Sequence, residues 1–188
     1  MSTTTPPATR PGGRSARVRA AVHRAVGELL AEGAVESDGL TLPVVAARAG
    51  VHPTTLYRRW GSVGDLLADV ATSRFTGDVV VPDTGTLGGD LERWAADVAT
   101  DLADPDVRAL IRAAVGAGEA GACACRGDRE EQLAAMLERE ADRGGAVPTV
   151  ERAADTLLGP LYYRTVFTDA PGTPEWARGL VALLIPRA

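Results

Sequence analysis

LTLPVVAARAGVHPTTLYRRW, residues 40–60, reads as two short helices joined by a tight turn at Gly50-Val51. Thr41 can cap the first helix through its hydroxyl, and Pro43 is tolerated in the first turn, where its missing donor would be unpaired anyway. Pro53 opens the second helix in the same way, with His52 at its cap. Leu56 and Trp60 are i, i+4 partners and must face inward. Thr54, Thr55 and Arg58 then lie on the outer face, with Tyr57 at its edge. Small residues where the helices touch (Ala46, Ala47, Ala49), a glycine turn and apolar pins are what a helix-turn-helix requires. Its outer face must meet phosphates and base edges. Arg58 can donate two hydrogen bonds to guanine O6 and N7, and the threonines can reach base edges or a thymine methyl. Thr41 and Tyr57 suit phosphate contacts, which set register, and His52 can donate to a phosphate near a helix N-terminus. The competing reading is a helical hairpin in an ordinary all-α core.

Charge favours the DNA reading. The net charge of −5 hides a split: residues 1–60 carry eight Arg against four Asp/Glu, and residues 61–188 carry twelve Arg against twenty-one. A basic end on an acidic chain is a mark of nucleic-acid binding confined to that end. The chain has no lysine.

Outward from the motif, residues 1–14 hold Pro, Gly, Thr and Arg and little to bury, and are expected to form a disordered arm. Arg10 and Arg14 could bring it to DNA, although a frayed terminus has the same composition. A first helix is expected from Ser15, as cap, to Ala31, with Val18, Val22, Ala25 and Leu29 on one face and Gly33 as its stop. After Gly61, Ser62 caps a fourth helix reaching Phe75. Residues 77–90, rich in Gly, Asp, Thr and Pro, mark the change to the rest of the chain. Further helices are expected over 91–103, from Pro105, over 128–143, from Thr149 to Phe167, and from Thr173-Pro174 to about Ile185, with a glycine-rich break over 116–127. Gly159-Pro160 should bend the helix that contains it. The fold class is therefore all-α, with about nine helices and no clear strand. The expected domains are the arm (1–14), a three-helix helix-turn-helix domain (15–61) and a larger helical domain (62–188).

The motif also carries a resemblance. Thr41 to Val51, followed by Thr55-Leu56-Tyr57-Arg58-Arg59-Trp60 and Asp65-Leu66-Leu67, resembles the TetR family of bacterial transcriptional regulators, over about residues 15–75. The chain departs from the family pattern at His52, often serine there, and at Val63-Gly64, where a basic residue often precedes the fourth helix. Residues 158–164 and 173–176, LGPLYYR and TPEW, are similar to one subgroup of the family. The resemblance implies a DNA-binding domain in the first three helices, joined by the fourth to a helical domain that binds a small-molecule effector and dimerises. On this basis the chain is expected to be a ligand-responsive regulator, a repressor on a palindromic operator, whose ligand releases the DNA.

Two apolar stripes on each of the last two long helices suggest more apolar width than one core face needs: Val150, Ala154, Leu157 and Leu161 beside Leu158, Tyr162 and Thr165, then Trp176, Leu180 and Leu184 beside Ala177 and Val181. A two-subunit four-helix bundle would use the surplus, whereas an internal core could also absorb it. Candidate ligand-lining residues are Phe75, Trp94, Ile111, Met136, Tyr163 and Phe167, all of which also read as plain core.

No Gly-x-Ser-x-Gly, phosphate loop or His-Glu-x-x-His is present, so no enzyme is expected. Acidic pairs such as Asp97 and Asp101 read as solvated faces. Cys123 and Cys125 are too close to staple a fold, and both histidines lie far from them in sequence, so no metal and no cofactor are expected. No apolar run approaches a membrane span and the N-terminus lacks a signal-peptide pattern, which together suggest a cytoplasmic protein. Two alternatives remain at the level of sequence: a helical protein-interaction module without DNA, and a helix-turn-helix activator without a small-molecule ligand.

Overall fold

A computed structural model describes residues 13–33, 39–75, 80–117 and 119–185, with the backbone alone at 14, 75 and 119–125. The expected arm over 1–14 thus lies almost wholly outside the described residues. The helices are α1 (Arg14–Ala31), α2 (Leu42–Ala49), α3 (Pro53–Arg59), α4 (Val63–Phe75), α5 (Leu87–Ala103), α6 (Pro105–Gly116), α7 (Glu119–Asp142), α8 (Val150–Ala153), α9 (Gly159–Phe167) and α10 (Pro174–Leu184). A π-helical turn, Ala154–Leu158, joins α8 to α9 in one continuous rod. Counting that rod once, the described residues hold nine helices and no strand. The fold is all-α.

Local chemistry sets most of the boundaries. Thr41, Thr86, Asp104, Thr149 and Thr173 each accept a backbone N–H of the helix they precede, so one orphan donor per helix is satisfied. Ser62 Oγ does the same for Asp65 N at 3.1 Å. Ser15 is not a cap: α1 begins one residue earlier, after Gly13, with no side-chain cap. α2 ends where Gly50 takes φ 66°. There Val51 N donates to Ala46 O and Gly50 N to Ala47 O, both within 3.2 Å, the paired bonds of a Schellman stop.

Three expectations are corrected. α5 starts at Leu87, not Leu91. Gly88-Gly89 does not break it; a Cβ on Gly89 would collide with the hydroxyls of Thr84 and Thr86, so the glycine admits a close approach. α7 runs unbroken from Glu119, so the expected break over 116–127 shrinks to its first residues, and Cys123 and Cys125 lie in helical backbone. The distortion near Gly159-Pro160 is a wide turn upstream, with Gly159 N reaching back to Ala154 O. Pro160 has no N–H to continue an α-helical ladder, and the π turn absorbs the mismatch.

The buried side chains form one contiguous cluster. In its N-terminal part Val22, Val26, Val45 and Leu56 are fully buried, each such side chain stabilising by roughly 1.5–3 kcal/mol. α4 packs along α7 and touches α6, while α10 packs along α5. The proposed surplus stripes are consumed within the chain itself: Leu157, Leu158, Leu161, Thr165, Ala177, Leu180, Val181 and Leu184 are all buried. Apolar surface left outside belongs to other residues, chiefly Tyr163, Phe167 and Leu183, exposed by 61%, 71% and 69%.

Candidate nucleic-acid interface and the cavity of the helical body

α3 is pinned by Leu56 and by Trp60, which follows it; both are buried. Its outer side leaves His52, Thr54, Tyr57 and Arg58 exposed and Thr55 half-buried. His52, Thr55 and Arg58 meet in a cavity of 740 Å³ between α3 and the start of α1, with Ser15, Val18 and Arg59 among its other walls. No acidic side chain lines it. Arg59 Nη1 donates to Ser15 Oγ at 3.0 Å and its guanidinium lies 5.2 Å from the Trp60 ring centre. Arg58 makes no hydrogen bond or ion pair among the described residues and is left for an outside acceptor. Thr41, Thr54 and Tyr57 lie outside this cavity. Thr41 is exposed at the cap of α2, its Oγ1 3.4 Å from Val44 N, and Tyr57 is half-exposed at the edge of α3.

His52 caps α3 through its ring. Nδ1 accepts from Thr54 N at 3.3 Å and lies 2.9 Å from Thr54 Oγ1. A ring nitrogen here does what a serine oxygen would do. With Nδ1 accepting, a neutral ring carries its proton on Nε2.

Two clusters that the sequence reading missed hold this unit in place. Asp69, on α4, is the first. It accepts from Trp60 Nε1 at 3.2 Å, pairs with His23 Nε2 at 3.0 Å, and takes Arg19 on both oxygens at 2.7 and 3.1 Å. Burial raises its pKa, but the hydrogen bond from His23 and the charge of Arg19 outweigh it and hold the carboxyl below its ordinary range. The available signal was Arg19 and His23 at i, i+4 on one face of a helix, which asks for an acid opposite. Arg48 on α2 is the second, with both terminal nitrogens on Glu32 at 2.7 and 2.9 Å. That hydrogen bond depresses the Glu32 pKa.

α4 also meets the C-terminal helices closely. Gly64 is buried, and a Cβ there would stand 2.9 Å from the carbonyl oxygen of Ala117, at the end of α6. The missing basic residue before α4 thus has a steric counterpart: this position needs a glycine.

Farther into the helical body, Trp94, Ile111 and Met136 are fully buried in the core, where Trp94 Nε1 donates to Gln132 Oε1 at 2.8 Å. Nothing is described for the Phe75 side chain. Tyr163 and Phe167, ring centres 5.5 Å apart, instead line a cavity of 690 Å³ with Val115 of α6, Arg126 and Glu130 of α7, and the α8–α9 rod. Of the six ligand candidates, the structure brings these two together. Asp101 is not a solvated acid, since it binds the buried Arg129 at 2.6 Å. Arg164 stacks on Trp176 at 4.5 Å.

Residues 81–184 match the family model described as tetracyclin repressor-like, C-terminal domain. The chain belongs to the TetR family. The solved TetR-family transcription regulator SCO0332 is 32% identical, with 89% of this chain and 96% of that one covered and a TM-score of 0.66. The HTH-type transcriptional regulator AqdR of Rhodococcus erythropolis is 38% identical over 99 residues, 53% of this chain and 47% of AqdR, so the match spans about half the length of that relative. The HTH-type regulator YdeS of Bacillus subtilis is 26% identical over 153 residues, 77% of each chain. This TetR-family chain is a transcriptional regulator, not an enzyme. No helix among its described residues is long and apolar enough to cross a membrane.

Proposed function

We propose that this TetR-family regulator is a cytoplasmic repressor that binds a palindromic operator as a homodimer and leaves it when a small molecule enters the helical body. On this reading residues 15–61 are the DNA-binding domain and 62–188 the ligand-binding and dimerisation domain. The observation that carries it is the face of α3. Arg58 stands there without an internal partner, in an acid-free cavity beside Thr55, His52 and Arg59. Arg58 and the threonines Thr54 and Thr55 read bases; Thr41, His52 and Tyr57 hold phosphates.

Two further features support the reading. The apolar surface of Tyr163, Phe167 and Leu183 is where a second copy would seat, placing the recognition helices about 34–36 Å or a multiple of that apart. The cavity beside the rod reaches α6 through Val115, the end of α6 abuts Gly64 on α4, and α4 carries Asp69 to Trp60. A ligand that prefers one arrangement of α6 and α4 would bias the position of α3.

The test is binding of an operator duplex taken from the chain's own promoter. Arg58→Ala should weaken it by about 1–3 kcal/mol and relax preference at one base position. Wild-type affinity should fall roughly 10³–10⁵-fold between 50 and 200 mM salt if ~6–10 phosphates are contacted. A flat salt response together with unchanged affinity of the variant would refute DNA reading by α3.

A further inference from the structure

The cavity beside the rod has an unbalanced lining. Its ionisable side chains are Arg126, Glu130, Glu151, Asp155 and two tyrosines. Arg126 Nε lies 3.3 Å from Glu130 Oε1, so those two charges neutralise each other. Glu151 and Asp155 have no ion-pair or hydrogen-bond partner among the described residues. They are one helical turn apart on the same exposed stripe, which continues through Gly159 to Tyr163 and Phe167. The stretch of sequence before Arg126, EAGACAC, contains no basic residue. The rest of the wall is apolar or aromatic: Val150, Leu158, Val166, Tyr162 and the Tyr163–Phe167 pair.

The rod is π-helical where it supplies Ala154, Asp155 and Leu158 to this wall. A π turn costs hydrogen-bond geometry and is frequently kept at functional sites. Here it sets the direction in which Asp155 projects.

Two uncompensated carboxylates beside an aromatic pair favour one class of ligand. A carboxylate or phosphate would be repelled. A neutral apolar body would leave the acids unanswered. A cation with an apolar body would satisfy both, by charge attraction to Glu151 and Asp155 and by lying against the electron-rich faces of Tyr163 and Phe167. We propose that this cavity binds lipophilic organic cations, and that such a cation is the effector class of the regulator. The second clause rests on the ligand-responsive reading above; the first does not.

The test compares tetraphenylphosphonium with tetraphenylborate, which share a shape and differ in sign of charge, by isothermal titration of the full-length protein. The phosphonium should bind about tenfold more tightly than the borate or better, and Glu151→Gln/Asp155→Asn should remove that advantage. Both positions are exposed, so the variant should fold, which circular dichroism checks. No phosphonium binding, equal binding of the borate, or an unchanged phosphonium affinity in the double variant would overturn the site. Release of a bound operator is read separately by fluorescence anisotropy. Phosphonium binding without release keeps the cation site and removes the effector role.

Discussion

The indole Nε1 of Trp60 donates to Asp69 Oδ2 at 3.2 Å, joining the residue that closes the recognition helix to the helix that leads into the regulatory body. Trp60 is 4% exposed. Its N–H has little access to water, so the carboxylate is the acceptor that keeps it from being a buried orphan. The same oxygen meets His23, and its neighbour takes Arg19. One side chain of α4 therefore fixes α1 and the end of α3 together.

Asp69→Asn tests that junction. The amide oxygen can still accept from Trp60, but the charge that holds Arg19 and His23 is gone. Urea unfolding should show a loss of about 1–3 kcal/mol at neutral pH. The pH dependence follows from the sign of the shift. The native carboxyl titrates below its ordinary 3.8, so the unfolded chain takes up the proton first as pH falls. The stabilisation is complete above the unfolded value and is lost on descending through the native one. The gap between wild type and Asp69→Asn should thus stay constant from pH 7 to about 5 and narrow below about 4. A gap independent of pH would mean that the ionised carboxylate is not what stabilises.

The fold was largely legible because its signals are local. Thr41 and Gly50 bound α2, Pro53 opens α3, and Leu56 and Trp60 face inward, all from spacing and side-chain type alone. What escaped depends on neighbours distant in the chain. Gly89 looked like a breaker and is a contact point for two threonine hydroxyls. The stripes on the rod and α10 suggested a second subunit, yet α5, α6 and α7 already cover them. Trp94, Ile111 and Met136 are apolar enough for a pocket, and only packing reveals that no space is left beside them. Asp69 and Gly64 could not be ranked above other acids and glycines until Trp60 and Ala117 stood next to them.

His52 separates two roles at one position. His52→Ala removes the acceptor for Thr54 N and should cost about 0.5–2 kcal/mol in thermal or chemical unfolding. His52→Ser restores an acceptor and should recover most of that loss. If the Nε2 proton meets a phosphate, serine should still bind operator more weakly than histidine, with a shallower salt dependence. Equal operator affinity for serine and histidine would confine His52 to capping.

Gly64→Ala places a methyl group 2.9 Å from the Ala117 carbonyl oxygen. Both partners are anchored in helices, so either α4 or the end of α6 must move. Overpacking of this kind costs about 1–3 kcal/mol. Because Leu66, Leu67 and Asp69 follow on the same helix, displacement of α4 should also disturb the Asp69–Trp60 bond. Operator affinity should then fall although Gly64 is remote from α3's outer face. Gly61→Ala is the control: its Cβ would meet only the Asp65 carboxylate, at 3.2 Å, and that carboxylate can rotate away. Loss of operator binding in Gly64→Ala but not Gly61→Ala would support coupling through α4; equal behaviour would refute it.

Leu183→Asp addresses the second copy. Leu183 is 69% exposed on α10, between Ala182, also exposed, and the buried Leu184. A charge at that site costs little in an isolated chain, because the side chain already stands in water. In a dimer seated on this face it would bury an unpaired carboxylate, which is unfavourable by several kcal/mol. Sedimentation should show the wild type as a dimer and Leu183→Asp as a monomer, with the helical circular-dichroism signal unchanged. Operator affinity should fall with it, since one half-site then binds alone. A variant that stays dimeric would move the interface away from α10, leaving the Tyr163–Phe167 rim to be tested in its place.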